Sequence, residues 1–297
     1  MEVRGNSTYM IGTSETFTTL TGAWSFIKNA HVADGVFLHL YITNAHGNFS
    51  QNFSTPFSLD QQSGSQISII GISKIDCDVT FTTGNGFTLD SGHSFGLISG
   101  LDIFGSSSGS GIVVADNATL GELSNCSLVG FETCLSALNN GDFAQVDTTA
   151  FLNCNKPGTE CQAEWGGMVT FQSEYTIDGA GTSGGGTCLF ADHGGKISAP
   201  SLQMANFNIG VEAKFDGIID AGGCSIGGCN TGIFATEGGR VFCESGAMGQ
   251  DAFWTYGQQL ADGTDLNATY GGVIDAIGNT FQTQIADSGH GSFIYTV

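Results

Sequence analysis

Two stretches of the chain repeat each other: "GVEAKFDGIID" (210–220) and "GIFATEGGRVF" (232–242). Each begins with Gly and an aliphatic residue, places Ala three positions after that Gly, and returns to Gly four positions later. Within "VEAKF" apolar and polar residues alternate with a period of two, which is typical of a strand with one buried face. The two stretches therefore predict two successive coils of a β-solenoid, one stacked on the other.

The same pattern extends over most of the chain. Its anchors are small residues at turns: Ala118, Gly141, Gly167, Gly195, Gly217, Gly239 and Gly272. The residues six and four positions before each anchor are small or apolar, and the residue two positions after it is aliphatic or Phe. An earlier coil anchors on His93, and a shorter last coil anchors on Gly291, with Ile285 and Phe293 in register. Nine coils are therefore predicted, with stacked columns of equivalent inward residues.

One inward column is predicted to contain the three alanines Ala191, Ala213 and Ala235, because they share a register over two 22-residue intervals. Glycines and asparagines at the corners supply the positive φ angles that sharp turns need.

Residues 17–30 depart from the repeat. Leu20, Ala23, Trp24 and Ile27 have the spacing of one apolar helix face, with Thr18 or Thr19 as the N-cap. Such a helix would cover the exposed edge of the first coil. The sequence thus divides into a leader (1–16), a capping helix with the first strands (17–60), the first of them at 36–42, and a parallel β-helix (61–297).

Composition excludes several classes of partner. The chain has 28 acidic and 7 basic residues, a formal net charge of −21, which repels nucleic acid and anionic membranes. It has no apolar run of about 20 residues and no signal-peptide pattern at its start, so membrane insertion and classical secretion are not expected. The nine cysteines form no CxxC or Cys/His cluster and are predicted to be buried free thiols.

The opening of the chain resembles a known family. Residues 17–71 read "FTTLTGAWSFIKNAHVADGVFLHLYITNAHGNFSQNFSTPFSLDQQSGSQISIIG", where a helix is followed by "VADG" (32–35), a strand, "GNF" (47–49) and a closing "IIG" (69–71). This arrangement is similar to that of the pectate-lyase-like right-handed β-helices of bacteriophage tail fibres and tailspikes, and residues 96–131 look like the body of that fold. The fold class that the resemblance implies is all-β, a right-handed parallel β-helix.

The resemblance also implies a setting. It suggests a virion tail protein that is made in the host cytoplasm, is exposed outside the cell, forms a homotrimer and contacts other phage tail proteins and a host-surface glycan. Three functions stay open: a receptor-binding fibre, a polysaccharide depolymerase (glycoside hydrolase or lyase), and a purely structural fibre module. Fold alone does not choose among them.

The chemistry of an enzyme is weakly represented. Lyases of this fold rely on basic residues, and an arginine base could come only from the two arginines of the chain, Arg4 and Arg240. Of the polygalacturonase motifs only Gly-His-Gly, around His290, is present. A glycosidase needs two nearby carboxylates, for which the candidate pairs are Asp216 with Asp220, Glu237 with Glu244, and Glu160 with Glu164. Since 28 acids make chance pairs common, no catalytic residue is assigned.

A long interval marks the predicted binding loop. Gly239 and Gly272 are 33 residues apart, which predicts an outward loop near 246–270. Aromatic and amide residues that suit sugar rings and hydroxyl groups are Trp254, Tyr256, Gln258, Gln259 and Tyr270, with Trp165 on an earlier coil. The alternative is that these aromatic residues only fix the loop or pack against another subunit. Asp262, Asp265 and Asn267 offer oxygen ligands, but the full calcium-loop pattern is missing, so no cofactor is predicted and Ca²⁺ is the alternative.

Overall fold

The computed structural model shows an all-β, right-handed parallel β-helix of about eight turns. The structure describes residues 2–43, 48–61, 63–147, 151–153, 158–172, 175–178, 186–243, 247–248, 264–276, 284–287 and 291–295. Neighbouring strands pair in parallel, each with its equivalent on the next coil. The fold class predicted from the repeat is confirmed, and the nine predicted coils are close to the number observed.

Three long faces make up the solenoid, with strands numbered along the chain. The twelve-stranded sheet contains, in spatial order, β2 (Ser7–Ile11), β4 (Leu38–Ile42), β7 (Ile67–Gly71), β10 (Ser94–Ser99), β13 (Thr119–Ser124), β16 (Asp142–Val146), β19 (Met168–Phe171), β22 (Lys196–Ser198), β25 (Ile218–Asp220), β28 (Arg240–Phe242), β31 (Val273–Asp275) and β33 (Phe293–Tyr295). The ten-stranded sheet contains β6 (Phe57–Ser58), β9 (Phe87–Leu89), β12 (Ser110–Ala115), β15 (Thr133–Leu138), β18 (Thr159–Glu164), β21 (Thr187–Asp192), β24 (Ile209–Ala213), β27 (Thr231–Thr236), β30 (Thr264–Thr269) and β32 (Gln284–Asp287).

The third face is divided into two shorter sheets. One contains β5 (Phe49–Phe53), β8 (Cys77–Phe81), β11 (Asp102–Phe104), β14 (Ser127–Val129) and β17 (Phe151–Asn153). The other contains β20 (Tyr175–Asp178), β23 (Leu202–Ala205), β26 (Ser225–Gly227) and β29 (Ala247–Met248). A separate pair, β1 (Glu2–Val3) with β3 (His31–Val32), lies at the N-terminal end, and residues Gly64–Gln66 form a short 3₁₀ helix.

The core consists of columns that run along the solenoid axis. Ala191, Ala213 and Ala235 are direct partners on β21, β24 and β27, and all three side chains are fully buried, which confirms the predicted alanine column. The neighbouring column of Leu189, Val211 and Ile233 is in the same register and also buried. Apolar burial of this kind contributes about 25 cal/mol per Å² to folding.

The anchor glycines are required by the close approach of successive coils. A Cβ atom on Gly195 would lie 2.0 Å from the carbonyl oxygen of Ala163 on the coil before it, and one on Gly239 would lie 2.1 Å from that of Ala213. Real Cβ atoms do not come this close to backbone oxygen. Glycine therefore recurs at these positions because the backbones of successive coils pack too closely to leave room for a side chain.

The capping helix forms as predicted. Helix α1 (Leu20–Ile27) begins after Thr19, whose hydroxyl accepts a hydrogen bond from the Gly22 N–H at 3.0 Å. The four predicted apolar positions are the buried ones. Trp24 inserts between the first coils, with its ring 5.7 Å from that of Phe57 and 6.1 Å from that of Phe95. The helix therefore seals the end of the core that would otherwise meet solvent.

Two predicted boundaries are wrong. One is the position of the first strand, and the other is the end of the outward loop between Gly239 and Gly272. The first strand of the twelve-stranded sheet is β2, which pairs with β4 over its whole length, whereas 36–42 was expected to come first. The outward loop was expected to reach residue 270, but 264–269 form β30, in register with β27. In both cases the alternating apolar residues of a short strand decide the structure.

The last coil is offset by one residue from the prediction. Ile285 does pair with Leu266, but the next inward residue is Ile294, which pairs with Ile274, and Phe293 is 54% exposed. Gly291 has a φ of +75°. The chain therefore gains one residue before β33, and the side chain of Phe293 points away from the core.

The cysteines that the structure describes are thiols, not disulfides, and all of them are buried except the half-buried Cys229. Cys154 lies outside the described residues. Burial raises the pKa of the Cys126 thiol to about 12 and also raises that of Cys161, so these thiols are unreactive at neutral pH. Cys224 and Cys243 place their sulfur atoms 2.9 Å apart in the core.

In the part of the chain that the structure describes, no helix has the length and apolar character of a membrane span.

Candidate functional site

Eight four-residue turns connect the ten-stranded sheet to the twelve-stranded sheet in the described coils. In each, the N–H of the fourth residue, which is the repeat anchor, donates to the carbonyl oxygen of the first at 2.7–3.1 Å. The second and third residues have positive φ angles, so these are type I′ turns. The second positions are occupied, in chain order, by Ser91, Asp116, Asn139, Trp165, His193, Phe215, Glu237 and Tyr270.

The turns stack on each other through their backbones. The N–H of Asn140 donates to the carbonyl oxygen of Trp165 on the next coil, at 3.0 Å. The same bond joins Gly166 to His193 at 3.2 Å and Gly194 to Phe215 at 3.1 Å. Side chains at the second position are therefore held at the spacing of adjacent strands, about 4.8 Å.

At three consecutive turns this spacing builds an aromatic stack on the surface. The ring centroids of Trp165 and His193 are 3.9 Å apart with planes 18° from parallel, and those of His193 and Phe215 are 4.8 Å apart at 28°. Trp165 is 56% exposed and Phe215 is 42% exposed. We call these three residues the aromatic column. The stacked rings cover one another's facing sides, so that the row presents mainly ring edges to solvent.

The aromatic column occupies a backbone conformation that does not suit it. The φ angles of Trp165, His193 and Phe215 are +53°, +46° and +39°. A left-handed conformation costs an L-residue with a large side chain about 1–2 kcal/mol, whereas Gly adopts it readily and Asn, Asp and His adopt it more often than other residues. Trp165 and Phe215 are therefore strained and partly exposed at once, so folding alone does not account for them. Strain of this kind is concentrated at functional sites.

A pair of carboxylates lies beside the column. Glu164 and Asp192 precede Trp165 and His193, and they are direct partners on β18 and β21. Burial, and then the charge of Asp192, raise the pKa of the Glu164 carboxyl, while His193 acts in the opposite direction. Asp192 Oδ1 accepts a hydrogen bond from the His193 backbone N–H at 2.8 Å.

The imidazole of His193 is also close to that carboxylate. Its Nδ1 lies 3.0 Å from Asp192 Oδ1, but the two atoms do not form a hydrogen bond. Lys214 follows at the next coil, with Nζ 2.5 Å from Glu212 Oε1 and within 6.0 Å of the ring centres of Phe190 and Phe234. The column thus has polar and charged groups along one side, able to bind hydroxyl or amino groups.

Some of the residues singled out in the sequence lie on this surface. Trp165 begins the column, and Tyr270 occupies the same turn position further along, 63% exposed, with Glu237 between it and Phe215. Asn267 and Asp265 are on β30, not in a loop. The other predicted binding or metal residues, Trp254, Tyr256, Gln258, Gln259 and Asp262, lie outside the described residues, as do Glu244 and His290.

The acid pairs of the sequence prediction are placed differently. Asp216 lies in a turn and Asp220 at the end of β25, whereas Glu160 and Glu164 lie near opposite ends of the same strand, β18. Four residues of extended chain span about 13 Å, so that Glu160 and Glu164 are wider apart than the carboxyl groups of glycosidases. Residues four apart in sequence are therefore placed further from each other than residues on adjacent coils.

Sequence reasoning missed His193, Phe215 and Asp192. A signal was present, since each aromatic residue stands two positions before a repeat anchor. Aligning the residue two positions before the anchor in every coil would have revealed the aromatic column. Comparison with protein-family models, curated proteins and solved structures finds no match.

Proposed function

We propose that this chain is a glycan-binding β-helix, and that the aromatic column is its binding surface. The observation that carries the proposal is the exposed, strained stack of Trp165, His193 and Phe215. The exposed parts of these rings offer apolar contacts for the C–H surfaces of sugar rings, and the hydrogen-bonding groups beside them set the orientation. The row follows the solenoid axis, so that a linear polysaccharide could lie along it. The resemblance to phage tail fibres and tailspikes supports a virion protein that attaches to a host-surface polysaccharide.

The negative charge of the protein limits the kinds of glycan that the aromatic column can bind. The chain carries a net charge of −21, and Glu164, Asp192, Asp216 and Glu237 all lie at the turns that form or flank the column. Polysaccharides rich in uronate or phosphate would be repelled by this surface. Neutral sugars, or amino sugars whose ammonium group pairs with a carboxylate, are the ligands that we propose.

A glycan array tests this proposal with matched variants. The double variant Trp165→Ala/Phe215→Ala should bind its best neutral or amino glycan at least tenfold more weakly than the wild type, since two ring contacts are worth about 1–3 kcal/mol together. The control, Phe26→Ala/Phe37→Ala, removes two other exposed rings at the cap. Equal affinity of the double variant and the wild type would contradict the proposal, and binding to no glycan at all would favour a purely structural fibre module.

A second candidate function is cleavage of the same glycan. Glu164 and Asp192 are direct partners on adjacent strands, whose backbones are about 4.8 Å apart. Side chains on such neighbours can reach the carboxyl separation of about 5–5.5 Å that retaining glycosidases use. The raised pKa of Glu164 suits a general acid, with Asp192 as its partner carboxylate. If the protein is a depolymerase, incubation with the bound polysaccharide releases new reducing ends, and Glu164→Gln abolishes release while leaving binding intact. Binding without release would leave adhesion as the function.

We also propose that the protein is a homotrimer, as the resemblance implies. In support, the outward positions of the last strands carry three exposed aromatic residues, Phe242, Phe293 and Tyr295. An association that buried them would remove apolar surface from water and cover the strand edge of β33. Light scattering should give three times the 30.7 kDa chain mass at moderate salt. A mass of one chain across the micromolar range would contradict the trimer.

A further inference from the structure

A cavity of about 320 Å³ opens at the cap, far from the aromatic column along the chain. It lies where the end of helix α1 meets the turns of the first two coils, and its wall includes Lys28, His31, Asp60, Gln61 and His93. The floor is well ordered by hydrogen bonds: the Gln61 side chain donates to the carbonyl oxygen of Ala30 and accepts from the N–H of Ser63. The cavity is thus built by the solenoid and the cap together.

Three side chains that commonly bind metals lie close together here, and two of them, Asp60 and His93, line the cavity. Asp60 and Asp90 occupy equivalent positions on consecutive coils, because Ser58 on β6 pairs with Thr88 on β9. One ligand atom from each of Asp60, Asp90 and His93 lies within 4.8 Å of the other two. His93 Nδ1 is 3.8 Å from Asp60 Oδ1, and all three residues are half-buried.

Neighbouring groups hold these ligands in place. Asp60 accepts hydrogen bonds from the Ser58 hydroxyl at 2.7 Å and from the Asp90 backbone N–H at 3.0 Å. Asp90 accepts from the Ser91 hydroxyl at 2.6 Å. His93 Nδ1 is 2.9 Å from the carbonyl oxygen of Asp90, and in the tautomer that donates this bond Nε2 is free to bind a metal. Partners of this kind are what orient the ligands of metal sites.

We propose that Asp60, Asp90 and His93 bind one divalent transition-metal cation, of which zinc is the best match. An imidazole with carboxylates suits zinc and its neighbours, whereas calcium and magnesium prefer oxygen ligands alone. Ligand atoms on zinc, at about 2.0–2.2 Å from the ion, lie roughly 3.3 Å from one another. Side-chain movements of about 1 Å therefore complete the site.

Calorimetry on EDTA-treated protein tests the site, with ZnCl₂ as the titrant and CaCl₂ as the comparison. The wild type should bind zinc and not calcium. His93→Ala and Asp90→Asn should each lose one zinc equivalent, or bind it at least tenfold more weakly. His31→Ala changes another residue of the cavity wall and His193→Ala changes the other His-carboxylate neighbourhood, so that both should keep that equivalent. Circular dichroism and melting confirm that each variant is folded.

A second measurement uses the wild type alone. Crystals grown with zinc should show anomalous density at the zinc edge between Asp60, Asp90 and His93, and cobalt substitution should give visible absorption bands. The proposal is overturned if the wild type binds no zinc, if His93→Ala and Asp90→Asn bind it as the wild type does, or if the anomalous density lies elsewhere.

Discussion

The turns at Asn139 and at Phe215 have the same backbone and very different side chains. Both are type I′ turns, and both are joined to a neighbouring coil by turn-to-turn backbone hydrogen bonds. In the two coils just before the aromatic column the positions with positive φ are filled by Asp and Asn, and the amide of Asn139 donates to Asp116 Oδ1 at 3.0 Å. In the later coils the equivalent position carries Trp165, His193 and Phe215.

The comparison shows that the fold requires the turn backbone and does not require aromatic side chains on it. The amide turns show that Asn and Asp satisfy this backbone and form a side-chain ladder along the surface. The aromatic turns fulfil the same structural task with residues that the conformation disfavours and that remain exposed. The aromatic residues therefore have a reason other than folding, and ligand binding is the reason that this partly exposed stack supports.

The largest expected effect tests what the two regions share. Gly195→Ala places a methyl group 2.0 Å from the Ala163 carbonyl oxygen, so that the coils must separate, and we expect a loss of about 3 kcal/mol in the free energy of unfolding. Urea denaturation measures it.

Two controls accompany that substitution. Gly194→Ala changes the preceding residue, where no atom lies within 4 Å of the added Cβ, so that only its φ of +75° opposes the change, at about 1 kcal/mol. Ala118→Gly, at the anchor that already carries a methyl group, should cost about as little. If Gly195→Ala is no worse than Gly194→Ala, close packing of coils does not explain the glycine anchors.

Exchanging side chains between the two regions should change stability by about 1 kcal/mol in opposite directions. Phe215→Asn relieves an unfavourable conformation and should stabilise the fold, while Asn139→Phe introduces one and breaks the bond to Asp116. Thermal melting of the two variants compares them. A destabilised Phe215→Asn would mean that Phe215 contributes to folding, and the contrast between the regions would fail.

The path of the backbone could be predicted from the sequence, but the neighbours on the surface could not. The glycine anchors and the inward alanine column could be read because every coil must meet the same steric demand at those positions. Asp60 and Asp90 could not be matched from sequence, since they are 30 residues apart and become neighbours only when two coils of unequal length stack. Phe293 was placed inward because a single added residue in the last coil reverses the alternation.

A smaller effect is expected from the carboxylate beside the aromatic column, and it depends on pH. The pKa of Glu164 is raised in the folded protein by burial and by Asp192, so the native state binds a proton more tightly than the unfolded chain does. The free energy of unfolding should therefore gain from this group as pH falls from neutral towards the ordinary carboxyl range, and lose as pH rises.

The variant Glu164→Gln removes that dependence. It should be more stable than the wild type at pH 7 and nearly equal to it at about pH 4, where the wild-type carboxyl is protonated as well. Gln162, on the same strand, has an uncharged side chain that donates to the Ser136 hydroxyl at 2.9 Å, so that Gln162→Asn should give a difference from the wild type that does not change with pH. A Glu164→Gln variant that is less stable at pH 7 would contradict the environment assigned to this carboxyl.

The most direct test of glycan binding at the aromatic column is the NMR signal of the Trp165 indole N–H during titration with the glycan that binds best. Trp24 is 8% exposed in the cap and serves as an internal reference, and Trp165→Phe assigns the signal. We predict that the Trp165 resonance moves in a saturable way while that of Trp24 stays in place. A glycan that binds to saturation without moving the Trp165 signal would contradict the assignment of the aromatic column as the binding surface.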